Sequence, residues 1–252
     1  WLGFPVVGSR PVWVDFYIIP LLAGAFMKAH ADGQAYGYAE AVALAAIAEA
    51  QTDGVELTIG WGAGTKNATG HGEKFLARHS DLPNVNSTHG DAGTAQLVIE
   101  GLRQAGLKDG FRVAVIGANG VTGDAISRAV VRLKPSSILL VGRKDDPGEP
   151  RRHDRLMTLR GKVIQTVDVT TEVEVDQDKA HACLVQGSDV VVVATTADLM
   201  TLNPQDVPEG ALVLDMTTPA ACRPDPRWRD RMGLTAGCGE MLNGFLPRGF
   251  GQ

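Results

Sequence analysis

Cysteine is scarce: 252 residues hold only Cys183, Cys222 and Cys238. An odd number without framework spacing excludes a disulfide scaffold, forms no zinc pattern, and fits a reducing compartment. No apolar run reaches the length needed to span a bilayer, and no charged segment followed by an apolar stretch and a cleavage site marks a secretory signal. The chain opens on Trp1 rather than Met, so its first residue need not be the first of the protein. Charge of one sign is not in excess. The net charge is −5, and Lys and Arg are scattered except between Arg143 and Arg160, where acids interrupt them. That pattern gives no nucleic-acid surface. Internal repeats and low-complexity linkers are also missing. These absences leave a cytoplasmic α/β protein, long enough for one large domain or two smaller ones, as the expectation.

The most informative stretch is Arg112 to Gly123, RVAVIGANGVTG. Val113, Val115 and Ile116 are β-branched and suit a central parallel strand covered on both faces. Gly117, Gly120 and Gly123 follow at G-x-x-G-x-x-G spacing, and a helix is expected to begin near Val121 and run to Leu133. Glycines at this spacing let the backbone turn tightly and approach a pyrophosphate, and a helix start offers N–H groups to the anion. The alternative is a tight strand-to-helix turn with no ligand, for which three glycines are more than is needed. Gly117, Gly120, Val121, Thr122 and Gly123 are therefore the expected pyrophosphate contacts, with Asn119 also expected among the cofactor-binding residues.

The next strand, Ser137 to Val141, leads into Gly142-Arg143-Lys144. A basic residue after this strand accommodates the 2′-phosphate of NADP, where an acid would bind the 2′-hydroxyl of NAD. Arg143 and Lys144 thus predict NADP(H); a solvated strand end is the alternative. A helix over 151–159 and a third strand over 163–167 are expected next. A helix over 180–186 follows, then a buried strand, Asp189 to Ala194, and another, Gly210 to Leu214. Ligands of a doubly wound sheet sit beyond the strands' carboxyl ends, so Thr195 and Thr196 are expected to border the cofactor. Asp215 suits either a site residue or a turn cap.

The first third reads differently. Residues 1–11 look like a loop, Val12 to Ile19 a strand, Leu21 to Ala31 a helix. Ala39 to Ala50, AEAVALAAIAEA, is almost pure helix former. It suits burial against its own domain or against a second copy of the chain. Val55 to Ile59 and Leu82 to Asn86 are short strands. The glycine-rich stretch from Gly60 to Asn67 is either a site lining or a plain loop. His71 and His79 read as surface or capping residues. Thr88 or Asp91 suits the cap of a helix running to about Ala105. Histidine is the side chain type suited to acid–base work near neutral pH, which makes His89 the best acid–base candidate; with Asp91 and Lys66 it forms the expected catalytic set. Cys222 or Cys238 would serve as a nucleophile if the reaction passes through a thioester.

With these pieces in order, the chain resembles the cyanobacterial-type long-chain acyl-(acyl carrier protein) reductases. The stretches STHGDAGTAQLVIEGL, VAVIGANGVTGDAISRAV, LLVGRKDD, VVVVATTADLMTLNP and ALVLDMTTP carry the likeness, with Asn119 where that family has Thr. The resemblance implies NADPH-dependent reduction of a fatty acyl thioester to an aldehyde. No residue here matches the family's acyl-accepting cysteine, and its Tyr-Pro-Lys-Asn stretch is Thr218-Pro219-Ala220-Ala221. The layout also resembles shikimate dehydrogenases. The expectation is a Rossmann-type, doubly wound parallel sheet over 88–238. A smaller α/β substrate domain is expected over 1–87, joined or not by 239–252, with the active site in the cleft between them. The expected activity is an NADP(H)-dependent oxidoreductase acting on a carbonyl, alcohol or imine of a small metabolite. The alternatives are the acyl-thioester reductase and a non-catalytic NADP(H)-binding sensor.

Overall fold

The computed structural model describes residues 2–4, 12–15, 17–53, 56–62, 64–82, 84–142, 151–166, 172–177, 187–195, 202–217 and 233–235. The chain divides into two compact units, Trp1–Gly90 and Asp91–Gln252.

In the first unit, β1 (Leu2–Phe4) pairs antiparallel with β2 (Val12–Val14). The glycines and prolines around β1 suggested only a loop, and β2 ends well before Ile19. Helix α1 (Ala23–Ala31) is followed by α2 (Ala35–Asp53). Helix α2 begins upstream of Gly37, which lies inside it. Ala39, Ala43, Ala46 and Ile47 form its buried face, while Tyr38 and Leu44 are exposed. Small side chains at this spacing let neighbours approach closely. Strand β3 (Leu57–Gly60) pairs parallel with β4 (Val85–Thr88), and α3 (Gly64–Ala68) and α4 (Glu73–Arg78) lie between them in sequence. Trp61 and Phe75 join the α2 alanines in one core, with ring centroids 5.3 Å apart. The glycine-rich stretch after β3 forms α3 in place of an open loop. A Cβ on Gly64 would lie 2.9 Å from Phe26 Cδ1, so this glycine serves packing.

The second unit opens with α5 (Asp91–Gln104), β5 (Arg112–Ile116), α6 (Val121–Val130) and β6 (Ser137–Gly142). It continues with α7 (Arg152–Ile164), β7 (Glu172–Gln177), β8 (Val190–Val193), β9 (Leu212–Asp215) and β10 (Gly233–Thr235). The described strands form a six-stranded sheet in the order β10-β9-β8-β5-β6-β7, parallel throughout. From β5 the chain winds outward through β6 and β7, then returns to β8 on the other side and continues to β9 and β10. That is the doubly wound Rossmann order.

Alternation on the central strands explains why both faces are covered. Val113, Val115, Val190, Val192, Leu212 and Leu214 point into one core, beneath Val98, Ile99 and Leu102 of α5, Ile126 and Val130 of α6, and Leu156, Leu159 and Val163 of α7. Ala114, Ile116, Val191, Val193 and Val213 point into the other, against Leu202, Val207 and Ala211. Burial on both faces is what makes these strands read as continuous apolar runs.

The strand expected over 163–167 is absent. Leu156, Leu159 and Val163 recur at helical spacing and carry α7 on to Ile164. The third strand is β7, whose sequence EVEVDQ is too acidic to announce a sheet. The helix expected over 180–186 lies outside the described residues. Among the described residues, no helix is long and apolar enough to cross a membrane.

Candidate functional site

In a doubly wound sheet the crevice forms where the strand order reverses, outside the carboxyl ends of the strands on either side. Here those strands are β5 and β8. Ala194 N–H donates to Ile116 O at 2.8 Å, extending the ladder one residue past β8. The chain then turns sharply at Gly117.

Each glycine of the turn has its own steric reason. Gly117 has φ of +84°, a left-handed value that favours glycine. A Cβ there would lie 2.5 Å from Ala194 O and 3.1 Å from Thr195 N. A Cβ on Gly123 would lie 2.1 Å from Gly117 O, so this glycine lets α6 sit against the turn. Gly120 is exposed, and a Cβ on it would approach Gly117 O at 3.2 Å. The turn is anchored to β6, because Gly117 N–H and Ala118 N–H both donate to Val141 O, at 2.8 and 3.0 Å.

Helix α6 starts at Val121, and its N-cap, Gly120, has no side chain to bond its amides. A helix N-terminus leaves its first amides without intrahelical acceptors and carries partial positive charge. The acid of the first turn, Asp124, accepts from Arg128 Nε at 2.7 Å. It is thereby neutralised by its own helix. Val121 is 47% exposed. The surface around Gly120 and Val121 is therefore open and small, and the helix start offers amides to an anion there.

Asp91 is the first residue of α5 and only 1% exposed. Its Oδ1 accepts from Thr122 Oγ1 at 2.5 Å. A carboxylate at a helix N-terminus is favoured by the dipole, and this one also fixes the side chain of the second residue of α6. Neither residue type signals this pairing, because they are 31 positions apart. At the end of β9, Asp215 Oδ1 accepts from Thr217 N–H at 3.0 Å and from Thr217 Oγ1 at 2.5 Å. This is a buried turn cap, one of the two roles its sequence allowed.

In the first unit, His89 follows β4 and is half-buried, as is Lys66 in α3. His71 lies on the turn between α3 and α4 at φ of +59°, and its N–H donates to Lys66 O at 2.6 Å. Its ring meets that of His89 edge-on, with centroids 5.3 Å apart. Sequence reasoning made His71 a surface or capping residue; the flanking Gly70 and Gly72 were the available sign of a structured turn. A Cβ on Gly72 would collide with Ser87 Oγ, which itself accepts from Trp61 Nε1 at 2.7 Å. Thr88 Oγ1 accepts from Gly90 N–H at 3.3 Å, capping a bend and not the helix.

His79, also read as a surface or capping residue, belongs to a polar network. Its Nε2 lies 2.8 Å from Glu40 Oε1, and Tyr36 OH donates to the same oxygen at 3.0 Å. The His79 hydrogen bond holds the Glu40 carboxyl below the usual carboxylate range, against the opposing effect of burial. Burial and the bond to Glu40 push the Tyr36 hydroxyl up.

Of the expected cofactor contacts, the structure gathers Gly117, Asn119, Gly120, Val121, Thr122, Gly123 and Thr195 around one turn. Arg143, Lys144, Thr196, Cys183, Cys222, Cys238, residues 218–221 and the 239–252 tail lie outside the described residues.

The strand order and the turn define a Rossmann-type α/β protein. No protein-family model matches the chain, and no curated protein matches it. Solved structures do match in part. The nucleotide-binding domain of glutamyl-tRNA reductase from Thermoplasma volcanium is 16% identical, over 55% of this chain and 83% of that one, with a TM-score of 0.40. Shikimate 5-dehydrogenase from Listeria monocytogenes, in complex with shikimate and NAD, is 19% identical over 65% of this chain and 57% of that one, with a TM-score of 0.40. The iminosuccinate reductase of Paracoccus denitrificans, in complex with NAD+, is 14% identical over 53% and 38%, with a TM-score of 0.38. The chain thus spans less than two thirds of the length of the latter two. No family is assigned on likeness at this level.

Proposed function

We propose that the chain is a nicotinamide-dinucleotide-dependent oxidoreductase acting on a carbonyl, alcohol or imine of a small metabolite. One observation carries this reading: the glycine turn lies at the reversal point of a doubly wound sheet and opens into a helix whose N-cap is a glycine. Packing of the turn accounts for Gly117 and Gly123, while Gly120 is exposed and leaves the helix start free of a side chain. In this reading the second unit is the dinucleotide-binding domain and the first the substrate domain.

The residues divide the work as follows. Gly117, Gly120 and Gly123 keep the turn free of side chains, and the amides of Val121 and Thr122 face the pyrophosphate. Asp91 holds Thr122 in place. Thr195, next to Gly117, borders the nicotinamide end. The bound nicotinamide supplies hydride transfer, and the protein supplies orientation. Arg143 and Lys144, directly after Gly142 in sequence, favour NADPH over NADH. Reduction of a carbonyl also needs a proton, and an imidazole exchanges one near neutral pH. His89 takes that role, with Lys66 as a second polar group toward substrate.

The test is NADPH and NADH consumption against a panel of small ketones, aldehydes and imines, with acyl-CoA and acyl-carrier thioesters in a separate arm. The reverse direction is assayed with alcohols and amines. Turnover of a small carbonyl or imine that survives Cys222→Ser and Cys238→Ser supports the reading. Aldehyde formation from a thioester that is lost with either serine variant replaces it with acyl reduction. Tight binding without turnover in any arm leaves a sensor.

A further inference from the structure

The carboxyl end of β6 has a feature that the glycine pattern does not explain. Strand β6 ends at Gly142, and a Cβ on this residue would lie 2.9 Å from both Cγ and Nδ2 of Asn119, and 2.9 Å from Leu156 Cδ2. The carboxamide of Asn119 therefore occupies the space that any side chain at 142 would take. Its backbone is held there as well, because Ala118 N–H and Gly117 N–H both donate to Val141 O, the carbonyl directly before Gly142. Asn119 itself is half-buried.

In a doubly wound sheet, this strand end receives the adenosine ribose, and the group found there distinguishes a 2′-hydroxyl from a 2′-phosphate. We propose that Asn119 hydrogen-bonds the adenosine ribose and, being uncharged, lets the site admit a 2′-phosphate as well as a 2′-hydroxyl. The inference rests on the dinucleotide-binding function proposed above. A carboxamide offers an NH2 donor and a carbonyl acceptor without charge. It can donate to a phosphate oxygen or to a hydroxyl. A carboxylate of the same shape in the same place would accept from a hydroxyl and repel a phosphate. Gly142 is part of the device, because a side chain there would displace the amide.

The test is fluorescence titration of NADPH and of NADH, separately, into the wild-type chain and into the Asn119→Asp, Asn119→Ala and Gly142→Ala variants. Asn119→Asp is expected to raise the NADPH Kd about tenfold or more while moving the NADH Kd less than about threefold. Asn119→Ala is expected to weaken both dinucleotides, and Gly142→Ala to reproduce it by pushing the amide aside. An NADPH-to-NADH Kd ratio that Asn119→Asp leaves unchanged overturns the assignment to Asn119 while leaving dinucleotide binding intact. If the wild-type chain binds neither dinucleotide, the underlying function falls and the assignment falls with it.

Discussion

At the scale of single residues, the chain shows how neighbours set what a side chain does. Glu40 accepts from both His79 and Tyr36, and the bond from His79 is the main reason its carboxyl is held below the ordinary range. A carboxyl depressed in the folded state adds stability that is fully present above its unfolded pKa. That stability is lost as pH falls through the folded pKa. Glu40→Gln should therefore lower the melting temperature by a constant amount above about pH 5, with the gap closing as pH drops below about 4. Thermal unfolding of both proteins between those limits and neutrality checks this; a gap that persists undiminished into acid would contradict it. His71 makes the complementary point. Its contact with His89 was hidden in the sequence, because a histidine between two glycines looks like a surface turn. Its left-handed backbone and its bond to Lys66 O turn the ring inward to His89.

At the scale of elements, α5 and α6 are tied at their first turns by Asp91 and Thr122. Thr122→Val keeps the side-chain volume and removes the hydroxyl, so a buried carboxylate loses a donor. The expected cost is about 1.5–3 kcal/mol in denaturant unfolding, as for hydrogen bonds to charged groups. A double-mutant cycle with Asp91→Ala should show coupling of about 1 kcal/mol or more. Additive losses would mean the bond contributes nothing of its own. Elements were legible in the sequence where burial was two-sided. The Arg112–Ile116 strand, its glycine turn and the Val190–Val193 strand were read from apolar runs and glycine spacing, because a central parallel strand has no polar face to dilute the signal. The opposite case hid β7: alternating glutamates at the sheet edge do not look like a strand. Strands β1 and β10 are three residues long, too short for any period to show. Helix α7 overran its expected end because Val163 continues the Leu156 and Leu159 stripe.

At the scale of the whole molecule, the account comes down to one relation between fold and ligand. The doubly wound order brings the carboxyl ends of β5 and β8 together, and the glycine turn puts a glycine-capped helix start there. Asp124, the acid in the first turn of α6, is paired with Arg128. Val121 is exposed and its side chain is not needed by the core. Its position therefore separates binding from folding. An acid in the first turn of a helix stabilises it by about 0.3–1 kcal/mol, yet a carboxylate at 121 would stand where the pyrophosphate is expected. The decisive measurement is calorimetric titration of NADPH and NADH into the wild-type and Val121→Glu proteins, with a melting temperature taken for each. The account predicts binding by the wild type, and for Val121→Glu a melting temperature that is unchanged or higher with affinity reduced about tenfold or more. Absence of binding by the wild type, or equal affinity in the folded variant, would contradict it.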